Sequence, residues 1–228
     1  MNQEAVELVD MIQFSARQIL DAIPSKVIVV AAAKGRTIPE VQAAIQAGIT
    51  HIGHNYVQEA QPMIEILGDK ATWHMIGHIQ RNKSKKAVQL FDVLETVDSI
   101  SLAKAINRHC ATIGKKIPLL IEINSGRESS KTGVLPEDVD ELVDGLGSLK
   151  HISVQGLMTM GPRFGDPKDA SPYFQATRQA FDRLSKLNLP NVDMRYLSMG
   201  MSNSYLVAIE EGANVIRIGT KIFGSRQY

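Results

Sequence analysis

Hydrophobic residues recur along the chain with two different periods, and the periods alternate. Within residues 3–22 the apolar side chains fall every three or four positions, as in an amphipathic helix (Val6, Leu8, Val9, Ile12, Ala16, Ile19 and Leu20). The next apolar run, 27–33, is unbroken and rich in β-branched residues, which is typical of a buried strand. This change of period repeats along the rest of the chain, which predicts alternating strands and helices.

The repeat predicts eight strand-and-helix units behind one extra N-terminal helix. The predicted strands are 26–33, 51–55, 72–78, 92–98, 117–124, 152–160, 192–200 and 213–219. Alternation of this kind requires a parallel sheet, because each helix returns the chain to the same edge. Eight units favour an α/β fold, a (β/α)8 TIM barrel that forms a single domain over residues 1–228. An open, doubly wound sheet is the alternative.

Composition limits the kinds of molecule that the protein could bind. The 25 Lys and Arg residues nearly balance the 24 Asp and Glu residues, so net charge indicates neither nucleic acid nor an acidic surface. Cys110 is the only cysteine, which excludes an intrachain disulfide and fits a reducing compartment. The first 20 residues mix acidic with apolar side chains, unlike a secretory signal or a membrane span. We therefore expect a cytoplasmic protein without nucleic-acid or membrane partners.

The barrel fold predicts that functional side chains gather where strands end. Strand one ends in Lys34, between three alanines and Gly35. Small apolar neighbours favour a neutral amine, which can attack a carbonyl and form a Schiff base. The ordinary alternative is a lysine that simply reaches solvent.

Strands two and three end in polar residues. Asn55 follows the second strand and can both donate and accept hydrogen bonds, although it could equally cap the following helix. His78 follows the third strand, where it could carry a proton or only pack at the rim. No His, Asp and Glu residues show the spacing of metal ligands along the chain, so we predict no metal site.

The last two units predict a phosphate site. Each has a strand, a glycine turn and a helix start, with Gly200 and Ser202 in one and Gly219 and Thr220 in the other. TIM barrels often bind phosphate at these two loops, through backbone N–H groups and helix N-termini. Arg217 lies inside the last strand and points to the barrel interior or its mouth, where it needs an acceptor. A salt bridge with a neighbouring carboxylate would also satisfy it.

A Schiff-base lysine that faces a phosphate site suits pyridoxal phosphate. At this point the sequence resembles the pyridoxal-phosphate homeostasis protein family, which is related to the barrel domain of alanine racemase. The resemblance covers nearly the whole chain. It is most specific in "HMIGHIQRNK" (74–83), "GLMTM" (156–160), "LSMGMSNSY" (197–205) and "IRIGTKIFG" (216–224), with support from "GHNYVQE" (53–59).

The resemblance implies roles for individual residues. Lys34 would form the internal aldimine with pyridoxal 5′-phosphate, and Arg217 would face the pyridine nitrogen. Asn55 would lie close to the cofactor, and we include His78 among the cofactor-binding candidates. The phosphate would be held by Ser202, Gly219 and Thr220, with the backbone of Met199, Gly200 and Met201.

Two positions depart from the family pattern. The family usually has "VSKT" around its lysine, where this chain has Ala33 and Gly35, and usually "GENY", where this chain has His54 in place of the glutamate. Neither change prevents an aldimine. Both change the polar surroundings expected around Lys34.

An arginine at the pyridine nitrogen bears on whether the protein is an enzyme. It keeps that nitrogen unprotonated and so weakens the cofactor as an electron sink, which disfavours transamination but permits racemisation. Racemases with this barrel carry a second, β-rich domain, for which this sequence leaves no room. We therefore expect a carrier without catalytic turnover that delivers cofactor to pyridoxal-phosphate-dependent apoenzymes. The resemblance implies a monomer, with a weak dimer as the alternative. The rivals are a single-domain amino-acid racemase and a Schiff-base aldolase or phosphosugar isomerase.

Overall fold

The computed structural model describes residues 3–129, 131–162 and 165–225. Within them, eight parallel strands form a closed barrel in the order β1 to β8, with β8 paired to β1. The strands are β1 (Ile28–Ala32), β2 (His51–His54), β3 (Thr72–Met75), β4 (Val93–Val97), β5 (Ile117–Ile123), β6 (Ile152–Thr159), β7 (Val192–Ser198) and β8 (Val215–Ile218). The closed sheet confirms the (β/α)8 TIM barrel and excludes the open, doubly wound alternative.

Helices connect the strands and surround the barrel. They are α1 (Gln3–Ala22), α2 (Ile38–Gln46), α3 (Val57–Leu67), α4 (Ser84–Leu90), α5 (Ile100–Thr112), α6 (Val139–Leu146), α7 (Ser171–Leu184), α8 (Tyr205–Glu210) and α9 (Thr220–Phe223). The extra N-terminal helix α1 packs against α2 and α9, which confirms its prediction. Among the described residues, no helix is both long enough and apolar enough to cross a bilayer.

Apolar side chains form two separate layers. The larger layer lies between the strands and the helices, and fully buried members include Phe91, Phe174 and Phe223. The smaller one contains Val30, Ile76 and Val215 and fills part of the barrel interior. Side chains alternate between the two faces of a strand. Polar strand residues whose side chains do not point into the outer layer therefore point into this interior. The barrel interior is therefore only partly apolar.

The helix after β7 begins later than its sequence predicts. The sequence suggested a start at Ser202 and Asn203, but α8 begins at Tyr205 and residues 202–204 form a turn. The Ser204 hydroxyl accepts from the Met201 N–H at 3.3 Å. The Ser202 hydroxyl instead accepts from the Gly219 N–H at 3.2 Å, across to the next unit. A local helix cap is thus replaced by a contact between two neighbouring loops.

Candidate functional site

Lys34 lies at the carboxyl-terminal end of the barrel, which we call the mouth. It follows β1 by two residues and is half-buried, and its Nζ lies 5.1 Å from the centre of the Tyr56 ring. Tyr56 comes directly after Asn55, at the end of β2. The Gly35 N–H donates to Glu59 Oε2 at 3.2 Å, which holds the backbone beside the lysine against α3. The amine is thus held among residues of the first two units, with part of its surface open.

The last two loops are tied to each other. The Ser202 hydroxyl accepts from the Gly219 N–H at 3.2 Å and from the Lys221 N–H at 3.5 Å. Gly200 adopts a φ of +90°, and a Cβ on it would lie 2.6 Å from Ala208 Cβ. A side chain at position 200 would therefore displace the turn from α8. The Thr220 hydroxyl takes no part in any hydrogen bond between described residues, and Thr220 is exposed.

The sequence implied that the backbone of Met199, Gly200 and Met201 assists the phosphate. In the structure the Met199 N–H donates to Val215 O at 3.0 Å, and the Met201 N–H donates to Ser204 Oγ. The Gly200 carbonyl accepts from the Arg217 N–H at 3.0 Å. These groups therefore shape the loop and join β7 to β8. Ser202 and Thr220 are better placed to supply donors to a ligand. Lys221, beyond them, is exposed, with its Nζ 5.1 Å from the centre of the Tyr205 ring.

The Lys34 segment and the late loops are neighbours, although they are far apart in the sequence. Strand β1 pairs with β8 in a register that sets Val30 opposite Arg217 and Ala31 opposite Ile218. At the end of this pair, a Cβ on Gly219 would lie 3.5 Å from Ala32 O and 3.6 Å from Ala32 Cβ. The absent side chain leaves the backbone of the last loop accessible beside the strand that leads to Lys34.

Arg36 fastens these two segments together. Its Nη1 donates to Phe223 O at 3.0 Å and its Nη2 to Gly224 O at 2.6 Å, so it caps the end of α9. Nη1 also pairs with Glu40 Oε1 at 3.1 Å. The sequence analysis did not identify Arg36. Its only sequence signal is a position two residues after the lysine, which does not indicate a contact with the far end of the chain.

Arg217 is buried, with 4% of its surface exposed, and lies in a polar network inside the barrel. Its Nη1 donates to Ser198 Oγ at 2.5 Å, and its Nη2 donates to Thr159 O at 2.7 Å. The Ser198 hydroxyl in turn donates to Glu95 Oε2 at 2.6 Å. His74 Nδ1 lies 2.7 Å from Glu95 Oε1. Arg217 therefore has two acceptors, the Ser198 hydroxyl and the Thr159 carbonyl oxygen. The Glu95 carboxylate accepts in turn from that hydroxyl.

Charge and burial oppose each other in this network. Burial alone would raise the pKa of Glu95, but the hydrogen bond and charge of His74, the Arg217 charge and the Ser198 hydroxyl together lower it. Burial lowers the pKa of Arg217, and Glu95 and Glu122 act against that shift. Since an arginine side chain stays protonated in proteins, the barrel interior holds a cation balanced by a carboxylate.

Asn55 and His78 both line one cavity of about 410 Å³, together with Tyr56, Gln80 and Lys83. Asn55 is half-buried and His78 is exposed. A Cβ on Gly77 would lie 2.3 Å from Asn55 O, so this glycine lets the ends of β2 and β3 approach closely. The structure thus brings these two predicted residues to the same part of the mouth.

His54, which stands in place of the family's glutamate, does not join the polar surroundings expected around Lys34. It is fully buried and stacks on Trp73 with ring centres 6.0 Å apart. Neither ring nitrogen has a hydrogen-bond partner among the described residues. Burial lowers its pKa to about 4. Alternation explains the difference, because Gly53 faces the interior and its neighbour must face the helices.

Three further polar side chains meet at the mouth and were missed as a group. His78, Asp98 and Glu122 each offer one ligand atom, and these atoms lie within 4.8 Å of one another. The prediction of no metal site considered spacing along the chain. His78 and Asp98 follow β3 and β4, and Glu122 is the penultimate residue of β5, so their common feature is a place at three consecutive strand ends.

The donor set at the β1–β8 edge fits a ligand with an aldehyde and an anionic end. An amine at Lys34 suits the first, and the Thr220 hydroxyl with the glycine-lined loop suits the second. The Arg217 guanidinium adds a buried cation inside the barrel. This arrangement could capture a carbonyl covalently while it holds a phosphate.

Residues 10–227 match the family described as alanine racemase, N-terminal domain. The chain is 38% identical over 196 residues to the pyridoxal phosphate homeostasis protein of Aquifex aeolicus, covering 85% of each chain. It is 34% identical over 207 residues to that of Pasteurella multocida, covering 90% of this chain and 88% of the relative.

Solved structures give the same relationship. PipY of Synechococcus elongatus is 31% identical, with a TM-score of 0.87 without PLP and 0.85 with PLP bound, and each match covers 93% of this chain and all of PipY. Alanine racemase of Clostridium difficile, in complex with cycloserine, shares the fold at 14% identity and a TM-score of 0.75, covering 96% of this chain and 60% of the racemase. The chain therefore belongs to the pyridoxal phosphate homeostasis proteins, within the alanine racemase N-terminal domain family.

Proposed function

We propose that this chain binds pyridoxal 5′-phosphate covalently through Lys34, as an internal aldimine, and acts in pyridoxal-phosphate homeostasis by storing and delivering the cofactor. The proposed cofactor-binding residues are Lys34, Asn55, Met199, Gly200, Met201, Ser202, Arg217, Gly219 and Thr220, and His78 borders the same mouth. The proposal covers residues 1–228 as one cofactor-binding domain.

One observation carries the proposal: the strand that leads to Lys34 pairs with the strand that leads to Gly219 and Thr220. An amine and a phosphate-binding loop on neighbouring strands can hold the two ends of one small ligand. Bound there, the cofactor would supply an aldehyde within reach of the Lys34 amine and a phosphate for the late loop. Membership of the family and the PipY structure with PLP bound support the identity of this ligand.

The chain's own residues divide the work of binding. Lys34 Nζ is the nucleophile, and Tyr56 covers one side of it. Ser202 joins the two late loops, and the hydroxyl and N–H of the neighbouring Thr220 would donate to the anion. Arg217 keeps its charge beside Glu95 and donates hydrogen bonds without giving up a proton. A guanidinium near the ring therefore favours holding the cofactor over using it as an electron sink.

Absorbance and mass spectrometry test the covalent link. The purified chain should carry a Schiff-base chromophore, and borohydride reduction should leave a pyridoxyl group on the peptide that contains Lys34. Lys34→Ala should lose both signals, whereas Lys26→Ala, an exposed lysine just before β1, should keep them. A pyridoxyl group on another lysine, or a Lys34→Ala protein that keeps the chromophore, would contradict the proposal.

The carrier role requires separate measurements. Loaded protein should restore activity to a pyridoxal-phosphate-dependent apoenzyme while a scavenger removes free cofactor, and it should form no D-alanine from L-alanine. Sustained racemisation would favour the single-domain racemase instead. Stabilisation against heat by a sugar phosphate but not by pyridoxal phosphate would favour the aldolase or isomerase.

The cellular setting also belongs to the proposal. We propose a monomer in the cytoplasm, which suits a chain whose only cysteine, Cys110, is buried and reduced. Burial raises the pKa of its thiol to about 11, so this cysteine is unreactive at neutral pH. Analytical ultracentrifugation of loaded protein, with and without an apoenzyme, measures both the oligomeric state and any complex with a recipient.

A further inference from the structure

A second group of functional side chains lies at the mouth, away from the β1–β8 edge. His78 follows β3, Asp98 directly follows β4, and Glu122 is the penultimate residue of β5. Their ligand atoms lie within 4.8 Å of one another. In a closed barrel, consecutive strand ends are neighbours, so the topology itself brings these three residues together.

Glu122 is the most constrained of the three. It is 5% exposed, and its Oε1 accepts from Thr132 Oγ1 at 2.9 Å. Its Oε2 is buried and has no hydrogen-bond partner among the described residues. Buried carboxylate oxygens normally have a donor or a cation beside them, because burial removes the water that would otherwise solvate them. The described residues therefore leave room beside this oxygen for a partner that they do not supply themselves.

The three side chains approach one another without bonding. His78 Nδ1 and Asp98 Oδ2 are 3.7 Å apart, beyond the usual length of a hydrogen bond. Two carboxylates, those of Asp98 and Glu122, meet in this group, and like charges at this separation repel unless a cation or proton lies between them. Side chains that converge in this way, with one imidazole and two carboxylates, are typical ligands of a divalent ion.

We infer that His78, Asp98 and Glu122 bind a divalent transition-metal ion. The two carboxylates balance the ion's charge and also suit manganese, whereas the imidazole favours zinc over magnesium or calcium, which prefer oxygen ligands alone. The His78 side chain is 46% exposed, which leaves coordination positions open to water. Donor atoms around a tetrahedral zinc ion stand about 3.4 Å apart, so the three side chains would have to close in slightly to coordinate it.

This site borders the proposed cofactor site, since the charge of Arg217 acts on Glu122. It uses neither Lys34 nor the loops after β7 and β8. His78 would then serve the metal rather than the pyridoxal phosphate. A protein that no longer binds the metal could still bind pyridoxal phosphate, and the reverse also holds. The two proposals can therefore fail independently.

Metal binding to the untagged, full-length protein tests the inference. After treatment with EDTA and dialysis, the protein is titrated with Zn²⁺ in competition with a chromogenic chelator, and with Mn²⁺ by electron paramagnetic resonance. We expect one ion per chain. His78→Gln and Glu122→Gln should each weaken Zn²⁺ binding about 100-fold, and Thr132→Val, which removes the hydroxyl that orients Glu122, about 10-fold.

Two variants elsewhere in the chain serve as controls. His109→Gln and Asp69→Asn change a histidine and a carboxylate elsewhere and should leave Zn²⁺ affinity unchanged. His78 is exposed, so its variant should fold, which circular dichroism checks. Absence of stoichiometric binding, or equal losses in the control variants, would overturn the inference. So would binding of methylamine at these residues without binding of Zn²⁺, since that result identifies an amine site.

Discussion

Glu95 and Arg217 face each other across the barrel, with Glu95 Oε2 3.9 Å from Arg217 Nη1 and the Ser198 hydroxyl bonded to both. They lie on β4 and β8, which are opposite strands of a closed eight-stranded barrel. The pair and its linking hydroxyl therefore join opposite walls. They also fix the guanidinium that we assign to the cofactor.

Removal of the carboxylate should destabilise the fold strongly. Glu95→Gln keeps the shape of the side chain but leaves the buried Arg217 charge without its counter-charge, so we expect a loss of about 3 kcal/mol or more in the free energy of unfolding. Ser198→Ala removes the linking hydroxyl and should cost about 1–3 kcal/mol. Urea unfolding measures both. A Glu95→Gln protein as stable as the wild type would contradict the role of this pair.

Substitution at Gly200 should damage the late loop through steric overlap. Gly200→Ala would bring a Cβ to 2.6 Å from Ala208 Cβ and 2.9 Å from Tyr205 Cα. We expect pyridoxal-phosphate affinity to fall at least about 10-fold, with a loss of stability of about 2–3 kcal/mol. Gly114→Ala is the matched control, since Gly114 also has positive φ, +66°, but no atom within 4 Å of the new Cβ.

The control should cost only about 1 kcal/mol, the price of left-handed backbone alone. Its cofactor affinity should equal that of the wild type. Equal effects of the two substitutions would mean that backbone strain, rather than contact with α8, accounts for the loss at Gly200.

Loss of Arg36 should free the end of α9. Arg36→Met removes two charge-assisted hydrogen bonds to the carbonyls of Phe223 and Gly224, and we expect a loss of about 3 kcal/mol. Amide exchange over 220–225 should accelerate, and cofactor affinity should fall because Thr220 begins this helix. Arg178→Met, which breaks an exposed ion pair with Asp182, should cost less than about 1 kcal/mol. Unchanged exchange in Arg36→Met would refute the tether.

His54 should make the protein sensitive to acid. The pKa of His54 is about 4 in the folded chain, whereas in the unfolded chain it has its ordinary value of 6.5. Between pH 4 and pH 6.5 the unfolded chain therefore binds a proton that the folded chain does not. Stability is therefore full above pH 6.5 and falls by about 3 kcal/mol as the pH drops to 4. His54→Leu should flatten this part of the curve.

Urea unfolding of both proteins at several pH values provides the measurement. The difference between them isolates His54 from His51, whose pKa burial and the nearby His74 also lower to about 4. Two parallel curves would show that His54 does not cause the acid sensitivity.

The barrel was predictable because its strands and helices differ in hydrophobic period. All eight predicted strands and the front helix are present. The sequence prediction fails where a residue bonds to a neighbouring strand-and-helix unit instead of capping the helix that follows it. Ser202 looks like a helix cap in sequence, yet its hydroxyl is bonded to Gly219, and α8 therefore begins at Tyr205.

The candidate site was only partly predictable for a related reason. A lysine after a strand and glycines before helices are local patterns, and they identified Lys34 and the late loops. Glu95 inside "VLETV" is also a visible anomaly, a charge within an apolar strand, but sequence alone does not say that it reaches Arg217. Arg36 and the grouping of His78 with Glu122 depend on closure of the barrel, which local patterns do not encode.

The pairing of the first strand with the last sets the order of events during synthesis. Lys34 leaves the ribosome long before β8 exists, so the amine has no partner loop until nearly the whole polypeptide has emerged. Cofactor captured by this lysine would therefore report that the ring of strands has closed. If the proposed binding at Lys34 holds, loading would be a late step of maturation, open to chains that have already completed their fold.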